Sequence, residues 1–169
     1  PLNAATVNSF QLTGENLFQP HMRVQMDEAD LEIESAASRR LACKVPAADD
    51  LRPGPRPVTI VVDVPMGDPA TPHPGFKSNT AVVALVPSIT GIETDPAAQA
   101  CTVTGSHLYY ADLDCMTLVG DTQIPAALYQ DPKKDVFTIQ LPDLPGGPYP
   151  LRVRVNAMEN IETHSIQIP

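Results

Sequence analysis

Apolar and polar residues alternate with a period of two along most of this chain. Thr6–Leu12, Met22–Met26 and Leu31–Glu34 each send successive side chains to opposite faces, the signature of half-buried strands. The acidic stretch Asp27-Glu28-Ala29-Asp30 between the last two spells a hairpin turn. Residues 40–45 give the next strand, closed by Pro46, and 47–57 read as a polar, proline-rich connection. The β-branched run Val58–Val64 follows, then a predicted loop over Pro65–Asn79, then a strand over Ala81–Val86. Beyond Pro87 the alternation resumes at 88–92 and predicts strands over 100–103, 116–119, 124–128, 136–141, 151–155 and 164–168.

The pattern is written twice. Thr13-Gly14-Glu15-Asn16-Leu17 returns as Thr104-Gly105-Ser106-His107-Leu108, and Gly54-Pro55-Arg56-Pro57 returns as Gly147-Pro148-Tyr149-Pro150. Two units of similar strand order therefore follow one another, divided at Pro87 into residues 1–87 and 88–169. Units of this size, made of short strands and Pro/Gly turns, predict an all-β chain of two tandem immunoglobulin-like β-sandwiches. Because Val86 passes through Pro87 to Ile89 with almost no linker, the two units are expected to be held semi-rigidly.

Composition sharpens this picture. Nineteen prolines among 169 residues disfavour long helices, and with no Trp and 5% aromatic residues the two cores are expected to be aliphatic. A net charge of −9 without any Lys/Arg run argues against nucleic acid as a partner. No apolar stretch approaches the ~20 residues of a membrane span. The chain opens at Pro1 without a methionine and reads as part of a longer polypeptide.

Candidate chemistry is sparse, and no catalytic, cofactor-binding or metal site is predicted. Three cysteines make no disulfide framework: Cys43 reads as a buried thiol, and Cys101 and Cys115 either pair or stay free. His21, His73, His107 and His164 have no ligand spacing, and the acidic turns at 27–30 and 112–114 read as solvated rather than calcium-binding. Neither a nucleophile elbow nor a glycine-rich phosphate loop is present, so the chain is expected not to be an enzyme. Tyr109 and Tyr110 are the one aromatic pair, read as exposed contact or loop packing. In the proline-rich loop, His73 and Phe76 are candidate interaction residues, with Phe76 expected to pin the loop to its own sandwich.

The repeated Gly–polar–Leu segment and the Gly-Pro-x-Pro turns resemble the IPT/TIG class of Ig-like domains. Pro72-His73-Pro74-Gly75-Phe76-Lys77-Ser78-Asn79, followed by the strand at 81–86 and Pro87-Ser88-Ile89, is similar to the C-terminal region of cap or tail-terminator proteins of contractile injection systems, with Pro74 where that family has Arg. Leu151–Val155 and the closing strand resemble that family's ending. The resemblance implies a structural extension used in assembly, spacing or anchoring, with other protein subunits of a tail-like particle as partners, in the cytoplasm or in the released particle. The alternative reading is a surface-adhesion or carbohydrate-binding pair of sandwiches from an exported protein.

Overall fold

The computed structural model describes residues 2–3, 9–45 and 51–168. These form β1 (Leu2–Asn3), β2 (Ser9–Thr13), β3 (Met22–Met26), β4 (Ala29–Leu31), β5 (Ile33–Ala37), β6 (Arg40–Lys44), β7 (Gly54–Met66), β8 (Thr71–Lys77) and β9 (Ala81–Val86). After Pro87 come β10 (Ser88–Asp95), β11 (Ala100–Ser106), β12 (Cys115–Val119), β13 (Thr122–Pro125), β14 (Gln130–Lys133), β15 (Val136–Gln140), β16 (Gly147–Val155), β17 (Met158–Glu159) and β18 (His164–Ile168). The chain is all-β, two tandem Ig-like sandwiches, and the described residues hold a single turn of 3₁₀ helix at Ala126–Leu128.

In the first sandwich β1-β9-β7-β3-β4, with β8 continuing along β7, lies against β2-β6-β5. Phe10 and Leu41 from one sheet meet Val24, Val58, Ile60 and Leu85 from the other. In the second, β10-β11-β15-β14 lies against β13-β12-β16, with β17 and β18 both pairing β16. Its core joins Cys101, Val103, Phe137 and Ile139 to Val119, Leu151 and Val153. One aromatic stack sits in this otherwise aliphatic interior: Phe137 and Tyr129 lie nearly parallel with centroids 4.2 Å apart. The Tyr129 hydroxyl, 2.7 Å from Thr117 Oγ1, keeps its polar end satisfied.

Several predicted boundaries are corrected. The Gly-Pro-x-Pro segments lie inside strands: β7 begins at Gly54 and β16 at Gly147. Proline is tolerated there because β3 pairs only Val58–Val62 of β7 and β12 only Leu151–Val155 of β16, so no ladder on that side calls for the N–H that proline lacks. The predicted loop over 65–79 is instead the far half of a β-hairpin, in which β8 pairs β7 from Val61↔Lys77 to Met66↔Thr71. Pro72 and Pro74 fit because β8 is an edge strand, and they also block further strand addition there.

The predicted strand at 31–34 is divided, β4 pairing β3 and β5 pairing β6, so the chain changes sheets at Glu32. The strand expected at 124–128 is β13 followed by the 3₁₀ turn, and β14 was not predicted. Residues 6–8 of the first predicted strand, and Pro46 with 47–50 of the predicted connection, lie outside the described residues.

Candidate functional site

The residues singled out in the sequence fall into two separate places. His73 and Phe76 lie on β8, every residue of which is exposed. Phe76 is 74% exposed, so it does not pin the hairpin to the sandwich. The hairpin is held by its backbone ladder instead, and Ser78 anchors its base, with Ile60 N–H donating to Ser78 Oγ at 3.0 Å. His73 Nε2 is 3.0 Å from Thr71 Oγ1 on the same strand.

Tyr109 and Tyr110 sit in the turn between β11 and β12, half-buried against the second core. Tyr109 packs at a tilt against Tyr129, centroids 6.2 Å apart. Tyr110 faces the first sandwich. Its hydroxyl is 2.6 Å from His107 Nδ1 and 3.4 Å from the Leu51 carbonyl oxygen. The Arg52 guanidinium lies 5.4 Å over its ring and also pairs with Asp112. Burial raises the Tyr110 pKa above the usual phenol value, so the ring stays a neutral hydrogen-bonding group at physiological pH. Asn156, in the turn after β16, donates from Nδ2 to the Pro53 carbonyl at 3.0 Å. Ser88 donates to Glu162 at 3.1 Å beside Pro87.

Leu51-Arg52-Pro53 of one sandwich is thus gripped by two turns of the other. The sequence carried no signal for this, because the partners lie 59 to 103 residues apart and are ordinary turn residues when read locally.

The acidic turns are engaged in ion pairs. Arg23 bridges Asp30 and Asp63, Arg56 pairs with Asp27, and Asp112 takes Arg52. The hydrogen bond from Arg23 holds the Asp30 carboxyl below its ordinary range. Among the described residues no three His, Cys, Asp or Glu side chains converge as metal ligands.

Cys43, Cys101 and Cys115 are all buried free thiols, so Cys101 and Cys115 do not pair. Desolvation pushes Cys43 and Cys101 from 9.0 up to about 11. The unfolded chain therefore releases these protons first, and the thiols' contribution to stability is full below pH 9 and lost as pH rises toward 11. We expect no reaction of the folded protein with a disulfide reagent at pH 8, three thiols reacting after denaturation, and a midpoint for urea unfolding that falls from pH 9 to pH 11. Rapid labelling of the folded chain would contradict the buried assignment.

A cleft of about 420 Å3 opens in the first sandwich between β2 with its following turn and the β7–β8–β9 side. Leu12, Leu17, Val58, Ile60, Val62 and Phe76 supply its apolar wall, and Thr13, Asn16 and Asn79 are among its polar residues.

No family model matches this chain, and no curated protein matches it. Among solved structures it is similar to the surface glycan-binding protein PbSGBP-B from Prevotella bryantii, at 16% identity and a TM-score of 0.43 over 96% of this chain and 36% of that one. It is similar to SGBP-B of the Bacteroides ovatus mixed-linkage glucan utilization locus, solved with a mixed-linkage heptasaccharide, at 13% identity and 0.40 over 95% and 41%. A third is SGBP-B from a complex xyloglucan utilization locus in Bacteroides uniformis, at 14% and 0.37 over 99% and 46%. The chain spans less than half the length of each.

Proposed function

We propose that this chain is a non-catalytic tandem Ig-like module of an exported, surface-displayed protein, a stiff spacer that sets the distance and angle at which a carbohydrate- or partner-binding element is presented. The observation that supports this reading is the grip on Leu51-Arg52-Pro53. The Asn156 hydrogen bond and the Arg52–Tyr110 stacking each contribute about 1 kcal/mol, so undocked orientations fall to a few per cent. A spacer needs this stiffness. A pair of independent binding domains does not.

The tail-particle reading rests most specifically on residues 72–89, with the ending at Leu151–Val155 and the closing strand beside it, and the fold gives much of the 72–89 segment local work. Pro72 and Pro74 protect an edge strand, Ser78 bonds Ile60, and Leu85 and Val86 are buried. The likeness therefore does not require a tail-end partner.

Small-angle scattering and NMR relaxation test the spacer. We expect the two sandwiches to tumble as one body, and Arg52→Ala with Asn156→Ala to decouple them with little change in melting temperature. Independent tumbling of the wild-type halves would refute it. Brief protease treatment of intact cells making the parent protein should remove this module, whereas co-sedimentation with tail-like particles would favour the other reading.

A further inference from the structure

The edges of the two smaller sheets are finished differently. In the second sandwich the edge strand beside β15 is β14, and in the first the edge strand beside β6 is β5. β14 is closed to a further strand: it carries Pro132 and Lys133, Asp131 has a φ of 44°, and its register against β15 shifts. Past its own bulge at Glu34, β5 has none of these devices. Ser35, Ala36 and Ala37 are small and uncharged and lie in regular register with Ala42, Leu41 and Arg40, and every residue from Glu34 to Arg40 is exposed.

The backbone fixes what this edge offers. Ala37 and Arg40 are joined by the two-residue turn Ser38-Arg39, so they form the hydrogen-bonded pair that closes the hairpin. The next residue, Ala36, therefore points its N–H and C=O away from β6. The turn is held in place by the N–H groups of Gly14 and Leu17, which donate to the Arg39 and Ser38 carbonyls.

Charge fixes what the edge meets. The segment reads Glu32-Ile33-Glu34-Ser35-Ala36-Ala37-Ser38-Arg39-Arg40, acidic before Ala36 and basic after it. Glu32 takes Lys44 and Arg39 takes Glu15, whereas Glu34 and Arg40 enter no ion pair among the described residues. Laid antiparallel on itself about Ala36, the segment sets its acidic half beside its basic half. Laid parallel, it sets Glu34 beside Glu34.

We propose that β5 pairs antiparallel with β5 of a second copy of this chain about a two-fold axis at Ala36, joining the two three-stranded sheets edge to edge. Each Ala36 exchanges both backbone hydrogen bonds with its mate. Arg40 lies beside Ala37, and its side chain crosses that methyl group toward Glu34 of the second copy. The contact is isologous and closes at two copies. A seam this short lies below the area of a standard interface, so half-association is expected at roughly 0.1–1 mM.

Sedimentation equilibrium and 15N relaxation of the intact chain from about 0.02 to 2 mM test this, with a monomer–dimer equilibrium and slowed exchange at the Ala36 amide as the expected result. Arg40→Glu should weaken association about tenfold or more. Adding Glu34→Arg to that variant should restore it, a rescue that damage to the fold would not give. Because the three native thiols are buried, Ala36→Cys under mild oxidant should yield a crosslinked dimer, opposed residues of a hydrogen-bonded antiparallel pair standing about 5.5 Å apart at Cα. Ser165→Cys, exposed on β18, should not. A monomer throughout the range, a dimer that Arg40→Glu leaves unchanged, or equal crosslinking at both cysteines would overturn the proposal.

Discussion

Gly105→Ala is expected to destabilise the second sandwich by about 3 kcal/mol, while Gly14→Ala at the repeat-equivalent position changes the first by about 0.5 kcal/mol or less. A methyl on Gly105 meets the Ser88 carbonyl oxygen and carbon and the Ile89 Cα, all of them β10 backbone and none able to rotate away. Relief requires β10 to lift from β11, exposing Ile89, whose burial alone is worth roughly 1.5–3 kcal/mol. A methyl on Gly14 meets a Leu17 methyl at 2.9 Å, the far end of a flexible side chain. All four tyrosines belong to residues 88–169, so tyrosine fluorescence during urea unfolding follows the second sandwich, and far-UV circular dichroism of the same samples follows both and reads the Gly14 variant. Equal effects of the two substitutions would show that β10 does not lie where the structure puts it.

Phe137→Ala is expected to cost about 3–5 kcal/mol, most of the stability available to a sandwich of this size. Phe137 is among the largest fully buried side chains, and it stacks on Tyr129 at the centre of the second core. Its loss leaves a cavity, and it also frees the ring that carries the Tyr129–Thr117 hydrogen bond. Phe137→Leu keeps most of the volume and should cost about half as much or less. Thermal melts followed by tyrosine fluorescence give both values, and a loss under 1 kcal/mol for the alanine variant would place Phe137 outside the core. The first core, built on Phe10, Val24, Leu41 and Leu85, should melt unchanged in both variants unless the junction couples the two halves.

Read together, the two glycines show how a repeat can be conserved in residues and divergent in use. Thr13-Gly14 ends β2 and Thr104-Gly105 lies near the end of β11, and each glycine N–H donates to a carbonyl in the hairpin turn beside it, Arg39 for Gly14 and Asp135 for Gly105. In the second sandwich β10 passes over the glycine, whereas among the described residues no strand pairs the outer edge of β2 in the first.

Alternation by itself determined that this chain is all-β, and it located the strands whose two faces differ. Val24 and Met26, Leu41 and Cys43, and Phe137 and Ile139 are apolar at every second position because one face of each strand meets the opposite sheet. The burial of Cys43 was legible for the same reason. Strands with both sides polar or proline-bearing gave no such signal. β8 has no buried residue, so its period is silent, and only the ladder to β7 makes it a strand. The starts of β7 and β16 were hidden because proline reads locally as a turn, and only the end of the β3 and β12 ladders short of these residues makes it admissible in a strand. The short link at Pro87 was legible, but the grip at the junction was decided by tertiary structure: Leu51, Arg52 and Pro53 meet Tyr110, Asp112 and Asn156 across many residues of chain, and no local pattern encodes a contact between two turns. The strand over Gly105 belongs there too, since a glycine says that a strand can pass and only the sheet order shows that β10 does.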